Sequence, residues 1–545
     1  MAGDDNMARK ANYQLAGRFA PYKIKKLLYS TSINPKWIEG TEKFWYEWET
    51  SEGKTFYVVD PIRGKKEQIF DNDKIAAELT RISLDPWDAQ HLPIEKIKFI
   101  DKNTLQFDVK SSQDDKGEEV IEEEIDEQKW DLDKKEKEKE KEKIYKKKVF
   151  HFEYKINTQK LRELKDWEAP DKHPKWANVS PDGETIVFAR NHNLYMINAS
   201  DYKKILDAGR GKDGKKAVDA IEKVTVNEIQ LTRDGEEYYS YAVFDRGDTD
   251  DKRKRDKGKR KRTRIYWAKD SKKFASIRSD QRKSKDLWVV HSVKNKRPKL
   301  ETYKYDMAGD KNVTQYEIDI HDLATQSILN LDIKKFKDQR IGVYSGRQFR
   351  YPDSDKPQQT VWLAEDSKKF YFYRQSRDMH KVDVCVADTE TGDVKVLFEE
   401  KLNTYVELQR LELLKSGDML WWSERDGWGH IYHYGKNGKL KQQITSGPFS
   451  VRRIMGIDES KQTIYFMANG REENEDPYLQ HLYSVFIDGT RMKLLNEGNF
   501  DHRTSMGESN RFFVNNYSRV NSLPRSALYN TSGKKMADLQ EADLS

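Results

Sequence analysis

Trp421-Trp422-Ser423-Glu424-Arg425-Asp426-Gly427-Trp428-Gly429-His430-Ile431-Tyr432-His433-Tyr434 is the stretch whose reading decides the fold. It is two short strands around a tight polar turn. Trp421 and Trp422 close the first strand, Asp426-Gly427 supplies turn chemistry, and Ile431 to Tyr434 open the second. His430 and His433 are three apart, an odd spacing that sends strand neighbours to opposite faces, so they read as one surface and one core residue rather than a ligand pair.

The same unit recurs outward in both directions. Phe44 to Trp48 leads through Ser51-Glu52-Gly53 into Thr55 to Asp60, and Ile97 to Ile100 turns at Asp101 to Asn103 into Thr104 to Phe107. The clearest copy is Trp176-Ala177-Asn178-Val179-Ser180-Pro181-Asp182-Gly183-Glu184-Thr185-Ile186-Val187-Phe188-Ala189-Arg190, followed by Asn193 to Ile197. Further copies begin at Ile265, Val361 and Met455, and the last at Arg511. Each is a small antiparallel sheet with two apolar faces that only radial stacking can cover. The expected fold is all-β: a β-propeller of about eight four-stranded blades, spanning 44–535, after an N-terminal segment 1–43 and before a linker 536–545.

Two charged insertions interrupt the repeat. Residues 111–148 hold an acidic stretch and an alternating Lys/Glu run, expected as a solvated helix or a disordered excursion. Residues 248–262 carry the basic run Lys252 to Arg262, expected as a solvated surface loop. Its sharper reading, a polyanion patch, lacks interleaved aromatics for base stacking, so a nucleic-acid partner is not expected. The formal net charge of +7 is small beside 100 basic and 93 acidic residues. The aromatic content of 12% argues against general disorder and suits pleated surfaces. The single cysteine, Cys385, sits among Val382, Val384 and Val386 and is expected buried; one thiol permits neither an intramolecular disulfide nor a Cys-based metal site. No stretch approaches the ~20 apolar residues of a membrane span, and Met1 to Lys10 contain no apolar signal core.

The chain contains no Gly-x-Ser-x-Gly elbow, no phosphate-cradling Gly-x-x-x-x-Gly-Lys-Ser/Thr and no His-Glu-x-x-His. No catalytic residue, metal ligand or cofactor is therefore expected. One polar constellation stands out, Asp234-Gly235-Glu236-Glu237-Tyr238-Tyr239-Ser240-Tyr241. Adjacent carboxylates beside tyrosines can hold a cationic group such as a free α-ammonium; the plainer reading is an exposed turn leading into a strand.

Three segments carry a resemblance. They are Trp176 to Arg190 with Asn193-Leu194-Tyr195; Arg297-Pro298 with Tyr305-Asp306-Met307-Ala308-Gly309-Asp310-Lys311-Asn312 and the strand up to Asp322; and Trp422 to Trp428 with His430-Ile431-Tyr432. Through them the chain, over about 44 to 535, resembles the N-terminal β-propeller of the dipeptidyl peptidase IV family of prolyl-oligopeptidase-type serine peptidases. The resemblance implies an eight-bladed propeller that admits peptide substrates to an α/β-hydrolase domain lying in cis, C-terminal to Ser545, which would carry the Ser-Asp-His triad. It implies that Glu236 and Glu237 bind the substrate's amino terminus, although the Trp and Tyr that precede the family's acidic motif are absent here. A homodimer is a further expectation. The implied location is periplasmic or secreted, with the signal peptide absent from this chain, and cytoplasmic is the alternative. The competing functional reading is a stand-alone propeller acting as a peptide- or protein-binding scaffold.

Overall fold

The computed structural model describes residues 12–24, 28–120, 144–212, 214–244, 249–293, 297–351, 354–357 and 359–543. Among the described residues eight antiparallel sheets of four or five strands follow one another along the chain, as the repeat predicts. Blade 1 is built from Lys36–Trp37, Phe44–Thr50, Gly53–Asp60 and Lys65–Gln68, and blade 2 from Ile94–Phe99, Thr104–Val120, Ile144–Lys155 and Lys160–Glu163. Blade 3 uses Asn178–Val179, Thr185–Arg190, Asn193–Asn198 and Ile229–Gln230, with two helices, Ala199–Gly209 and Gly214–Glu222, before its last strand. Blade 4 has a first strand in two pieces, Tyr239–Ser240 and Ile265–Trp267, then Lys273–Asp280, Gln315–Asp322 and Ile328–Asn330. A two-stranded ribbon, Asp286–His291 with Lys299–Lys304, projects between its second and third strands. Blades 5 to 8 begin at Arg340–Val343, Glu412–Leu413, Ser450–Asp458 and Asp501–Met506.

Most successive blades share cores, and the last packs back on the first. Trp45 and Phe56 of blade 1 pack with Leu105 and Phe107 of blade 2. Val187 and Leu194 of blade 3 pack with Trp267 and Phe274 of blade 4, and one large cluster joins blades 4, 5 and 6. Blade 8 returns to blade 1 through Phe512, Val514 and Leu528 against Trp37, Phe44 and Tyr46. There the side chain of Asn516 accepts from Ile33 N at 2.8 Å and donates to Ile33 O at 2.9 Å. The opening motif is a hairpin of blade 6 with Trp421 opposite Tyr432 and Trp422 opposite Ile431. Gly429 is required there, because a Cβ would stand 2.5 Å from the Trp422 ring. His430 is fully buried and His433 half-buried, on the opposite faces that the spacing predicts. Cys385 is buried in blade 5.

Three boundaries differ from expectation. Residues 536–541, expected as linker, belong to Lys535–Glu541, the outer strand of blade 8, where Leu539 is its one deeply buried side chain among polar neighbours. An outer strand covered on one side shows too weak an alternation to read as strand. The propeller also starts before residue 44, since Lys36–Trp37 pairs with Phe44 and Trp45; two residues are too short for any periodicity. In the first insertion, 111–120 and 144–148 prolong the two middle strands of blade 2, and 121–143 lie outside the described residues. The second insertion corrects the surface-loop reading. Asp250–Asp256 is a helix capped by Thr249, and Arg260 behind it is buried. Arg260 pairs with Glu228 at 2.8 Å, lies over the Trp176 ring at 5.3 Å and donates to the carbonyl of Val224. Asp256 gathers Lys259 at 3.1 Å and Arg255 at 3.5 Å. Arg260 and Asp256 are thus built into the fold, while Lys252, Lys254, Arg255, Lys257, Lys259 and Arg262 stay exposed, as expected for a solvated surface.

The first strand of blade 5 carries an excursion, 346–360, whose neck is a bridge between Ser345 and Trp362. Its described residues touch every other blade at the first strand or the turn beside it. Arg347 pairs with Glu412 of blade 6 and donates to Met455 O and Ile454 O of blade 7, at 2.8 and 3.1 Å. Tyr351 donates to Glu508 of blade 8. Lys356 pairs with Glu39 of blade 1 at 2.6 Å, and Asp355 with Lys98 of blade 2. Gln359 donates to Ser180 O of blade 3 at 2.7 Å, and Thr360 O accepts from Trp267 N of blade 4 at 2.8 Å. Residues this close in sequence reach all seven neighbours only from near the ring's axis, so the described part of the excursion lies across the central channel.

Candidate functional site

The acidic constellation sits at one end of blade 4, where the chain arrives from blade 3. Gly235 passes so close to the blade 3 turn that a Cβ would stand 2.3 Å from the carbonyl oxygen of His192. The buried Asn193 fixes the approach, its Oδ1 accepting from Gly235 N at 2.8 Å. Glu236 and Tyr239 then exchange both backbone hydrogen bonds, at 2.9 and 3.0 Å. This makes Glu237-Tyr238 the tip of a two-residue turn, with Tyr238 at φ 64°. The left-handed conformation at a non-glycine residue is held by the strand pairing on either side.

Beneath the turn lies an arginine platform. Arg278 is buried, ion-paired to Asp234 at 2.5 Å and Glu317 at 2.7 Å. Its guanidinium lies 3.8 Å from the Tyr239 ring centre and 4.7 Å from that of Tyr241. The two hydroxyls complete the net: Tyr239 donates to Glu317 and Tyr241 to Asp319, both at 2.8 Å. Burial raises the pKa of both phenols, Tyr239 to about 12, and burial also raises that of Asp319. These groups form a rigid, internally satisfied base.

The two sequence-predicted site residues part company here. Glu236 is exposed and engaged by Arg282 at 2.6 Å, which also holds Asp280 at 2.7 Å and covers Tyr239 at 4.0 Å. Glu237 has no ion-pair partner among the described residues. It borders a cavity of about 210 Å³ together with His192, Ser240, Phe244, Arg253 and Lys257. His192 Nδ1 lies 3.2 Å from Ser240 Oγ, and burial lowers its pKa, a shift that Lys257 favours and Glu237 opposes. The imidazole is therefore neutral at pH 7.

Sequence reasoning did not single out Arg278, Arg282, His192, Arg253 or Lys257 for this site. One signal was available: Arg253 and Lys257 stand four apart, the spacing that places residues on one side of a helix turn. Arg278 carries a weaker one, as a cation in the otherwise buried strand Lys273–Asp280. Among the described residues no three His, Cys, Asp or Glu side chains converge to hold a metal ion. None of the described helices is long and apolar enough to cross a membrane.

Known proteins resemble this chain in sequence and in fold. Residues 260–524 match the family described as the dipeptidyl peptidase IV (DPP IV) N-terminal region. A probable dipeptidyl-aminopeptidase B of Aspergillus oryzae is 21% identical over 418 residues, covering 70% of this chain and 40% of that protein. Dipeptidyl peptidase 4 of Trichophyton equinum is 30% identical over 115 residues, 21% of this chain and 14% of its own length. The chain thus spans less than half the length of the curated relatives it matches. In three dimensions, the crystal structure of Porphyromonas gingivalis dipeptidyl peptidase 4 superposes with a TM-score of 0.54 at 15% identity, over 99% of this chain and 62% of that one. A putative dipeptidyl aminopeptidase IV from Bacteroides ovatus gives a TM-score of 0.54 at 16% identity, covering 95% of this chain and 61% of that one. At these identities the superpositions speak for the fold.

Proposed function

Because residues 260–524 match the dipeptidyl peptidase IV N-terminal region family, we propose that the chain is the non-catalytic, substrate-selecting propeller of a dipeptidyl-peptidase-IV-like serine peptidase. The chemistry of bond cleavage then resides in an α/β-hydrolase domain of the parent chain, C-terminal to Ser545, and peptides are the substrates. The observation that carries the reading is Glu237, a carboxylate without an ionic partner among the described residues, held at the tip of a braced turn beside a cavity. A free α-ammonium is a compact cation with three donors, and a carboxylate oxygen accepts from it in a charge-assisted bond. Glu237 takes that role; Glu236, held by Arg282, orients the turn rather than the ligand. Tyr238 and Ser240 supply the neutral part of the wall.

The closed ring supports a second reading, a stand-alone peptide-binding scaffold, because blade 8 packs on blade 1 without help from another domain. The two readings share the site and differ only in what else the parent protein carries. The same reading includes pairing into a homodimer, which the mass of the full chain in solution tests.

The test is binding of Ala-Ala-Ala against its N-acetyl form, by calorimetry on the full chain. The free peptide is expected to bind and the acetylated one about ten-fold or more weakly, the worth of one charged hydrogen bond. Glu237→Gln should remove that difference while leaving the thermal midpoint in place, since the side chain is exposed. Equal binding of both peptides by the native chain would overturn the role of Glu237.

A further inference from the structure

We propose that the Glu237 cavity selects peptides whose first residue is acidic, binding the α-ammonium and the side-chain carboxylate together; this rests on the reading of Glu237 above. The observation is the charge around the cavity. Beyond Glu237, its charged wall is cationic: Arg253, Lys254 and Lys257, all from the helix Asp250–Asp256 or its last turn. His192 adds no compensating charge, because burial keeps it neutral at pH 7. The cations are not quenched by the fold. Among the described residues neither Lys254 nor Lys257 has a carboxylate partner, in contrast to Arg255, Lys259 and Arg260 of the same run. Arg253 lies over the Phe244 ring at 4.7 Å, and its Nε is buried with no acceptor. A buried donor without a partner carries a desolvation penalty that a ligand carboxylate relieves.

The cavity is therefore bipolar. One wall offers a single carboxylate and the facing helix offers an excess of cations. A neutral or basic first residue would meet only the ammonium site and leave the helix charges uncompensated. An amino-terminal Glu or Asp brings a cation and an anion a few bonds apart and matches both. The volume of about 210 Å³ admits one such residue. An arginine stacked on an aromatic ring is also pre-ordered to present its fork to a carboxylate, so little rotamer freedom is lost on binding.

Calorimetry with Glu-Ala-Ala, Gln-Ala-Ala and Lys-Ala-Ala tests this on the full chain. Glu-Ala-Ala is expected to bind about ten-fold or more tightly than Gln-Ala-Ala, with Lys-Ala-Ala weakest. The preference should shrink as salt is raised, because the site is part-open. Lys257→Gln and, separately, Arg253→Gln should each reduce the preference for Glu-Ala-Ala over Gln-Ala-Ala. The outcomes separate the two proposals. Equal affinity for Glu-Ala-Ala and Gln-Ala-Ala overturns the acidic preference and leaves the ammonium site standing. N-acetyl-Glu-Ala-Ala binding as tightly as Glu-Ala-Ala overturns the ammonium site and shows anion binding alone. No binding of any peptide overturns both.

Discussion

Glu400→Ala should lower the stability of the propeller by about 3–5 kcal/mol, the range for removing one partner of a buried charge pair. Glu400 ends the outer strand of blade 5 and is buried against blade 6. It accepts from the Trp421 indole N–H at 3.0 Å and from Ser423 Oγ at 2.8 Å, and it pairs with Arg425. Arg425 in turn lies over the Tyr432 ring at 4.3 Å. One carboxylate therefore satisfies three donors of the Trp421 to Tyr434 hairpin. Alanine would leave a buried indole N–H without an acceptor and a guanidinium without its counter-charge, over a cavity where the carboxylate had been. Glu400→Gln keeps one acceptor oxygen and should lose clearly less. The check is the denaturant midpoint of the three proteins followed by tryptophan fluorescence. An unchanged midpoint for the alanine variant would show that the seam between blades 5 and 6 is held by its apolar contacts alone.

The second large effect is acid destabilisation beginning well above the carboxylate range. His321 is buried, stacked on Phe274 at 4.4 Å, with Nε2 2.9 Å from Ser276 Oγ. Burial lowers its pKa to about 3, assisted by Arg278. His502 is buried between Asn515 and the carbonyl of Gly498, and burial, with His481 nearby, lowers its pKa to about 4. In the unfolded chain both take a proton near the ordinary value of about 6.5. Between that value and about 4 the unfolded state thus binds up to two more protons than the folded state, so stability rises with pH and is lost as pH falls. Each group contributes up to ~1.4 kcal/mol per pH unit in that window, or about 3 kcal/mol for the pair between pH 6.5 and 5. Asp319, whose pKa burial raises, acts in the opposite sense wherever it titrates. Denaturant midpoints at pH 7, 6 and 5 should fall in that order, and His321→Gln should flatten the slope by about half. A midpoint independent of pH across this window would contradict neutral burial of the two imidazoles.

The eight blades were legible because their central strands are apolar runs buried on both faces, such as Thr185–Arg190 and Met419–Ser423, set beside turns such as Pro181-Asp182-Gly183 and Asp426-Gly427. Outer strands such as Lys535–Glu541 were not, since one covered face leaves a single Leu539 among polar residues. The basic run illustrates a different limit. Composition reported Lys252 to Arg262 as solvated surface, yet Arg260 is buried because Glu228 and the Trp176 ring, both remote in sequence, supply its environment. The same limit applies to the site. Glu236 and Glu237 look equivalent as letters, and only the placement of Arg282 across the sheet separates the engaged carboxylate from the one without an ionic partner. The excursion 346–360 gave no periodic signal at all, because its described residues contact seven different blades one or two at a time, mostly through polar bonds.

That excursion also constrains the order of events on the ribosome. Its partners Glu39, Lys98, Ser180 and Trp267 are synthesised before it, whereas Glu412, Ile454 and Glu508 emerge later. Blades 1 to 4 can form as local meanders while translation continues, since domains and motifs organise from the N-terminal side as they emerge. The excursion has nowhere to settle on its C-terminal partners until blade 8 has left the exit tunnel. Contacts of such long sequence separation form slowly. The nascent chain therefore passes through an open arc with its middle segment exposed to chaperones, and seating of 346–360 marks the end of maturation rather than an early step.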